Sequence, residues 1–151
     1  MQTSARLWEQ QSLPGTVATD LPIMYINDQT ITQAGPQGIL EAVTAGPRAR
    51  WWGVMEAKDR HTRTVLDMDK VFPGLAKDVI AGASKCWDDD PWSLGDYCCF
   101  EPGEMQRFLP FLGQPEGRLH FAGEHTSALP GWMQGAFESG HRVALEVHQA
   151  T

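Results

Sequence analysis

The sequence predicts an α/β fold with α+β pieces, built from short strands and a few helices. The clearest observation is one helical face near the end of the chain, where apolar residues recur at spacings of three and four. A short apolar run from Leu119 to Ala122 precedes that helix and is typical of a strand covered on both faces. A second strand-like run covers Leu21 to Ile26. The apolar positions of the helix, predicted from Gly131 to His148, are Met133, Ala136, Phe137, Gly140, Val143, Ala144 and Val147.

The elements between these two ends are predicted from turn residues and helix breakers. Glycine and proline indicate a turn at residues 45–49, and Pro73 ends a weakly amphipathic helix. The acidic run before Pro91 indicates a turn between two strands. The predicted elements are a helix over Met55 to Val71, a short helix over Leu75 to Ile80, and strands near Ala83 to Trp87 and Tyr97 to Phe100.

Charge and cysteine content exclude several classes of function. The net charge of −7 argues against a nucleic-acid surface and against attraction to anionic membranes. No apolar run approaches the roughly 20 residues that a membrane-spanning helix needs, and the first residues lack the features of a signal peptide. Cys86, Cys98 and Cys99 form no C-x-x-C pair, which favours free thiols in a reducing compartment. We therefore expect a cytoplasmic protein; export by way of an upstream segment stays open.

The three consecutive carboxylates Asp88, Asp89 and Asp90 allow a metal hypothesis. The competing interpretation is a solvated turn, in which aspartate side chains cap local N–H groups. Neither a spaced oxygen-ligand loop nor a His-x-x-x-His pair accompanies them. The turn is therefore favoured, and no metal site is predicted.

The turn after residue 122 has the residue types of a cofactor loop. Gly123 lets a ligand approach the backbone, and the carboxylate of Glu124 can accept hydrogen bonds from the hydroxyls of a ribityl or ribose chain. Pro130 and Gly131 then precede a helix whose first N–H groups lack partners and carry partial positive charge, which suits an anion. The alternative is that strand and helix only close a sheet, with Trp132 in the core. One flank of the helix is small enough for a flat ring or a backbone to pack closely: Gly135, Ala136, Ser139 and Gly140.

Four ordered blocks of the chain carry a resemblance to a known family. They are Arg118 to Arg142, Gly15 to Ile23, Trp52 to Pro73, and Ser84 to Gly103 with its Phe-x-Pro-Gly end. Together they resemble the C-terminal part of the flavin-containing amine oxidases, in particular the bacterial and snake-venom L-amino-acid oxidases. The segment Ile39 to Ala45 departs from the family pattern, because it lacks the aromatic residues expected in that wall of the substrate site.

The resemblance implies the C-terminal part of a two-domain FAD amine oxidase fold. It assigns residues 1–14 to an N-terminal extension, 15–113 to the substrate domain, and 114–151 to the final strand and helix of the FAD-binding domain. The Gly-x-Gly-x-x-Gly turn that grips the dinucleotide pyrophosphate does not occur in the sequence. We therefore expect a partner chain that carries the dinucleotide-binding part. The chain would then be a separate subunit, a processed fragment or a partial reading frame.

The resemblance also implies the cofactor, the reaction and the roles of individual residues. FAD would be bound non-covalently, because Asp96 stands where some relatives have a flavin-linked cysteine. Gly123, Glu124, Gly131, Trp132, Met133 and Ala136 would contact FAD. Trp132 would be the catalytic aromatic wall and, with Gly131, would contact the substrate. Because amino-acid oxidases more often carry tryptophan at the position of Trp132, the expected substrate is an L-amino acid. The oxidase reaction of the family adds molecular oxygen as the second substrate. The products would be a keto acid, ammonia and hydrogen peroxide.

Other functions stay open at this point. The chain could be a non-catalytic assembly subunit of a flavoprotein complex, or part of another amine oxidase that acts on monoamines or polyamines. A carotenoid desaturase or protoporphyrinogen oxidase would share the final strand and helix, but not the block from Trp87 to Gly103.

Overall fold

The structure, a computed structural model, describes residues 1–150. The chain divides into two compact units, Met1–Asp90 and Pro91–Thr151. The assignment of residues 15–113 and 114–151 to two domains of a larger protein stays a prediction. Residues 1–14, predicted as an extension, contribute one strand and one helix to the first unit. Within residues 1–150, every helix is too short or too polar to cross a membrane.

The first unit contains a five-stranded antiparallel sheet flanked by helices. Its strands lie in the order β2, β3, β4, β1, β5, so that the first strand of the chain lies between β4 and β5. The strands are β1 (Gln2–Thr3), β2 (Val17–Ala18), β3 (Tyr25–Asp28), β4 (Gly38–Val43) and β5 (Val79–Ala81). The helices are α1 (Leu7–Gln10), α2 (Gly46–Gly53) and α3 (Ala57–Val71), and a 3₁₀ turn covers Leu75–Lys77.

The hydrophobic core of the first unit is formed by residues far apart in the sequence. Trp8 and Phe72 pack with ring centroids 6.1 Å apart, and the Trp8 indole Nε1–H donates to Asp28 Oδ2 at 2.9 Å. That hydrogen bond satisfies the indole donor inside the core, as a buried tryptophan requires. The buried apolar side chains are Trp8, Ile23, Ile26, Leu40, Trp52, Met68, Phe72 and Leu75.

Several sequence predictions for the first unit are corrected by the structure. The helix predicted over Met55 to Val71 is confirmed as α3, and Ile39 to Ala45 contains most of β4. The turn predicted at residues 45–49 is wrong, because Pro47 lies in the first turn of α2, where a missing N–H costs nothing. The strand predicted over Leu21 to Ile26 begins only at Tyr25, since Pro22 cannot donate to the ladder.

Two further predictions in this unit are wrong. The helix predicted over Leu75 to Ile80 stops after one 3₁₀ turn, because Val79–Ala81 pairs with β1 instead. The strand predicted near Ala83 to Trp87 is absent. That segment makes local contacts, with Lys85 Nζ 2.8 Å from Asp90 Oδ2 and over the Trp87 ring.

The second unit has two helices joined by a long irregular segment. They are α4 (Glu104–Leu112) and α5 (Met133–Ala150), and a 3₁₀ turn covers Glu124–Thr126 between them. The strands predicted over Leu119 to Ala122 and Tyr97 to Phe100 are wrong: in the described part of this unit, residues 91–150, the only pairing is an isolated bridge between Glu116 and Leu119. A strand needs a neighbouring strand that accepts its ladder hydrogen bonds. Residues 91–150 provide no such neighbour for either segment.

The helix α5 is confirmed, and most of its apolar face is exposed. It begins at Met133 rather than Gly131, and its buried residues are Gly135 and Ser139. Among the apolar positions, Met133 and Phe137 are exposed, as is Val147. The small flank of the helix, rather than its apolar stripe, packs against the rest of the unit.

Candidate functional site

The loop that begins at Gly123 has a backbone that requires glycine. Gly123 has a φ of 151°, and a side chain there would collide with the His125 ring. The Gly123 carbonyl accepts hydrogen bonds from the Thr126 N–H at 3.0 Å and the Thr126 hydroxyl at 2.9 Å. These contacts close the 3₁₀ turn and fix the direction of the Glu124 side chain.

Glu124 has one carboxylate oxygen that is bonded and one that is not. Its Oε1 accepts the Cys98 N–H at 2.6 Å. Its Oε2 is buried and has no hydrogen-bond partner among residues 1–150. An unpaired buried carboxylate oxygen is costly, so this atom is suited to a hydroxyl donor supplied from outside the described residues.

A cavity of about 480 Å³ lies beside this glutamate in the second unit. Its lining includes Tyr97, Cys98, Phe108 and His125 together with Glu124. Burial raises the pKa of the Cys98 thiol above its ordinary value, and the nearby charge of Glu124 raises it further. Cys98 is therefore held as a neutral thiol, which makes it a poor nucleophile and a poor metal ligand.

The start of α5 presents backbone donors that have no acceptor. The Trp132 carbonyl accepts the N–H groups of Gly135 at 3.0 Å and Ala136 at 3.3 Å. The N–H groups of Met133 and Gln134 have no acceptor among residues 1–150. Together with the helix dipole, these free donors give the end of the helix a positive potential.

Trp132 and Gly131 lie at this end of the helix. The Trp132 side chain is 65 % exposed, so the prediction that it could be core packing is wrong within the described chain. Gly131 has a φ of 78°, and the Tyr97 ring lies 3.2 Å from where a side chain would begin. Any larger residue at this position would be strained and would push against Tyr97.

The structure groups the predicted site residues in two places. Glu124 lines the cavity, whereas Gly131, Trp132, Met133 and Ala136 lie at the start of α5 and do not line it. Tyr97 connects the two places, because it lines the cavity and its ring faces Gly131. Sequence reasoning missed Tyr97, although an aromatic residue just after the Gly95-Asp96 turn was a usable signal.

Two aspartates of the acidic run before Pro91 contact basic side chains. Asp89 Oδ2 lies 3.9 Å from Arg60 Nη1, and Asp90 pairs with Lys85. Within residues 1–150, no three histidine, cysteine or acidic side chains are grouped so that they could hold a metal ion.

The hydrogen-bond donors and acceptors of the second unit fit flavin adenine dinucleotide (FAD). A ribose or ribityl hydroxyl matches the unpaired Oε2 of Glu124, and an electron-rich ring edge matches the free N–H groups at the start of α5. The half-exposed Tyr97 and the exposed Trp132 add aromatic surface beside these groups.

Known proteins match this chain over nearly its whole length. Residues 1–148 match the sequence model of the family described as flavin containing amine oxidoreductase. YobN of Bacillus subtilis (strain 168), a candidate L-amino-acid oxidase by its name, is 36% identical over 99% of this chain and 32% of its own length. The L-amino-acid oxidase of Vipera ammodytes ammodytes is 29% identical over 98% of this chain and 32% of its own.

Solved structures show the same fold. Putrescine oxidase, in a wild-type structure bound to putrescine, superposes with a TM-score of 0.82 at 21% identity. The match covers 98% of this chain and 33% of that one. The chain therefore spans about a third of the length of these three proteins.

Proposed function

Since this chain belongs to the family of flavin-containing amine oxidoreductases, we propose that it is the C-terminal part of an FAD-dependent L-amino-acid oxidase. The reaction would be the oxidative deamination of an L-amino acid by molecular oxygen, giving a keto acid, ammonia and hydrogen peroxide. The observation that carries the cofactor assignment is the buried, unpartnered Oε2 of Glu124 on the loop before α5. The names of the relatives support the choice of an L-amino acid.

The cofactor would be held without a covalent bond. Glu124 would accept a hydroxyl of the dinucleotide, and the bare backbone of Gly123 would let it approach. The N–H of Met133 would donate to the flavin ring edge, and Ala136 would leave room along the helix flank. Asp96 stands where a covalent link would need a thiol, and the thiol of Cys98 is held neutral.

The chain's own residues would contribute orientation and electrostatics. When bound, FAD would accept a hydride equivalent from the substrate α-carbon and pass electrons to oxygen. The positive end of α5 favours negative charge beside it, and this potential is already in place before reaction. Trp132 would form one wall of the substrate slot next to Gly131 and would exclude water from the reacting carbon.

The proposal requires the dinucleotide fingerprint that residues 1–151 do not contain, supplied by a partner chain or by a further part of the same protein. The apolar residues exposed on the second unit, including Met133 and Phe137, support such a partner because a lone monomer rarely tolerates a large apolar patch. The three free cysteines support a reducing compartment such as the cytoplasm. A non-catalytic assembly subunit would show the same exposed surface, so activity must separate the two functions.

The test is to purify the chain with everything that binds to it and to record the visible spectrum and amine oxidation. We expect flavin absorbance and peroxide formation with L-amino acids, and not with putrescine. Trp132→Ala should lower turnover by about 100-fold, the scale expected for loss of a substrate-positioning group. Trp92→Ala, at a position 93 % exposed, is the matched control and should leave turnover unchanged.

Each other outcome selects a different function. Unchanged turnover in Trp132→Ala would favour an assembly role for this chain. Turnover of putrescine but not of L-amino acids would assign the chain to another amine oxidase. A preparation without flavin absorbance would reject the proposal.

A further inference from the structure

One stripe of α5 carries three polar side chains that bind the preceding loop. Ser139, Arg142 and Glu146 are spaced by three and four residues and so lie on one side of the helix. The Ser139 hydroxyl accepts the Gly123 N–H at 2.9 Å and donates to the Ala136 carbonyl at 2.9 Å. This stripe is separate from the apolar positions of α5.

Arg142 makes four hydrogen bonds from its two terminal nitrogens. Nη1 donates to the Gly113 carbonyl at 2.8 Å and to Glu146 Oε1 at 2.6 Å. Nη2 donates to the Phe121 carbonyl at 2.9 Å and to the Thr126 hydroxyl at 3.1 Å. The guanidinium therefore joins the end of α4, both sides of the Gly123 loop and α5 itself.

The carboxylate of Glu146 fixes the guanidinium in this position. Its Oε1 accepts from Arg142, and its Oε2 lies 3.2 Å from the Nδ1 of His120. The two residues that Nη2 binds, Phe121 and Thr126, enclose Gly123 and Glu124. A shift of Arg142 would therefore release the loop on both sides of Glu124.

We propose that Arg142 is a positioning residue that holds the Glu124 carboxylate in its cofactor-binding geometry. This inference rests on the proposed function, because it takes Glu124 as the group that binds the dinucleotide. Arginine is suited to the task since its planar fork presents donors at fixed angles to several acceptors at once. A lysine has one terminal nitrogen and could not reach all four acceptors.

A double-mutant cycle on FAD affinity tests the proposal in the flavoprotein purified with its partner. Arg142→Met should weaken FAD binding by about tenfold, which corresponds to the loss of the proposed charge-assisted hydrogen bond between FAD and the Glu124 carboxylate. Glu124→Ala should weaken it by a similar factor. The double variant should be no weaker than Glu124→Ala alone, because Arg142 acts through that side chain. Factors that multiply to about 100-fold would overturn the proposal.

Two further variants separate positioning from a general loss of structure. Arg142→Lys should recover part of the lost affinity, because it keeps the charge and some of the hydrogen bonds. Arg118→Met removes an exposed arginine of the same unit and should change FAD affinity by less than about twofold. An equal loss in Arg142→Lys, Arg142→Met and Arg118→Met would overturn the proposal.

A second readout does not depend on the cofactor. Amide hydrogen exchange followed by mass spectrometry should be faster over residues 119–127 in Arg142→Met and in Arg142→Lys than in the wild type. Unchanged exchange in both variants would overturn the proposal that Arg142 holds the loop. A wild-type preparation that binds no FAD, with faster exchange in the variants, would reject the proposed function but would still support the role of Arg142 in holding the loop.

Discussion

The two units of the chain are held together by different kinds of interaction. In the first unit, eight apolar side chains are buried, Trp8 and Phe72 among them. In the described part of the second unit, residues 91–150, the buried residues are Thr126, Ser127, Gly135 and Ser139, which are polar or have no side chain. The first unit has a core of its own, whereas the second is organised by hydrogen bonds around one loop.

The two units differ in whether their large apolar side chains are buried or exposed. In the second unit the large apolar side chains, such as Met133 and Phe137, point outward, and the polar stripe of α5 holds the loop that contains Gly123. Apolar burial normally supplies most of the stability of a domain. The second unit thus keeps its loop geometry with little apolar burial of its own, which fits a surface that is completed by another part of a flavoprotein.

Two matched phenylalanine substitutions give the largest expected difference between the units. Phe72 is fully buried and Phe137 is 78 % exposed. Phe72→Ala should lower the free energy of unfolding by about 3–5 kcal/mol, because it removes a buried ring and leaves a cavity. Phe137→Ala should change it by less than about 0.5 kcal/mol in the chain without its partner. Urea unfolding curves of both variants measure the difference.

If Phe137→Ala were as destabilising as Phe72→Ala, the contrast between a buried core in the first unit and an exposed apolar face in the second would be contradicted. That result would mean that the apolar face of α5 is covered in the isolated chain. Repeating the pair in the purified complex sharpens the comparison, since the cost of Phe137→Ala should rise if a partner covers that ring.

Periodicity predicted the helices better than it predicted their surroundings. The spacing of apolar residues located α3 and α5 correctly. It could not show what covers the apolar stripe of α5, because that depends on residues outside the helix. The predicted strand at Leu119–Ala122 failed for a related reason: a strand needs a neighbour, and local sequence does not reveal whether one is present.

The cofactor site stays a prediction, and the sequence did not reveal the contacts that support its loop. Glycine and glutamate at residues 123 and 124 indicated a cofactor loop from residue type alone, and the structure finds an unpaired carboxylate oxygen there. The contacts of Ser139 and Arg142 outside α5 join residues 16 to 29 positions apart. Such contacts follow from the tertiary fold, so no sequence motif disclosed them.

Removing the hydroxyl of Ser139 should have an intermediate effect that is confined to the second unit. Ser139 is 1 % exposed and receives the Gly123 N–H. Ser139→Ala leaves that N–H without its acceptor, which should cost about 1–2 kcal/mol in local stability. Hydrogen exchange should become faster over residues 119–127 and stay unchanged over α3.

Ser84→Ala is the control for this substitution, because Ser84 is exposed and lies in the first unit. It should leave exchange in both units unchanged. Faster exchange throughout the chain in Ser139→Ala would contradict the separation between a core-based unit and a loop held by hydrogen bonds.

The smallest expected effect is a loosening of the loop at low pH. Hydrogen bonds from Arg142, and then from His120, hold the pKa of the Glu146 carboxyl below its ordinary value of 4.5. A lowered pKa in the folded state means that the charged form contributes stability above pH 4.5, and that this contribution is lost as the pH falls through the lower, folded value. Protonation of Glu146 would loosen Arg142 and with it the loop.

Asp28 gives the corresponding group in the first unit. Burial acts to raise its pKa, but hydrogen bonds from Thr30 and Trp8 and the charge of Arg6 outweigh it and hold the pKa below 3.8. On acidification, the protection of residues 119–127, corrected for the intrinsic pH dependence of amide exchange, should fall as the pH passes through the lowered pKa of Glu146. In the first unit, the Trp8 contact should weaken as the pH passes through the lowered pKa of Asp28. Glu146→Gln should remove the acid response of the corrected protection in the loop and leave the response of the first unit unaltered. The same acid response in wild type and Glu146→Gln would show that another group controls the loop.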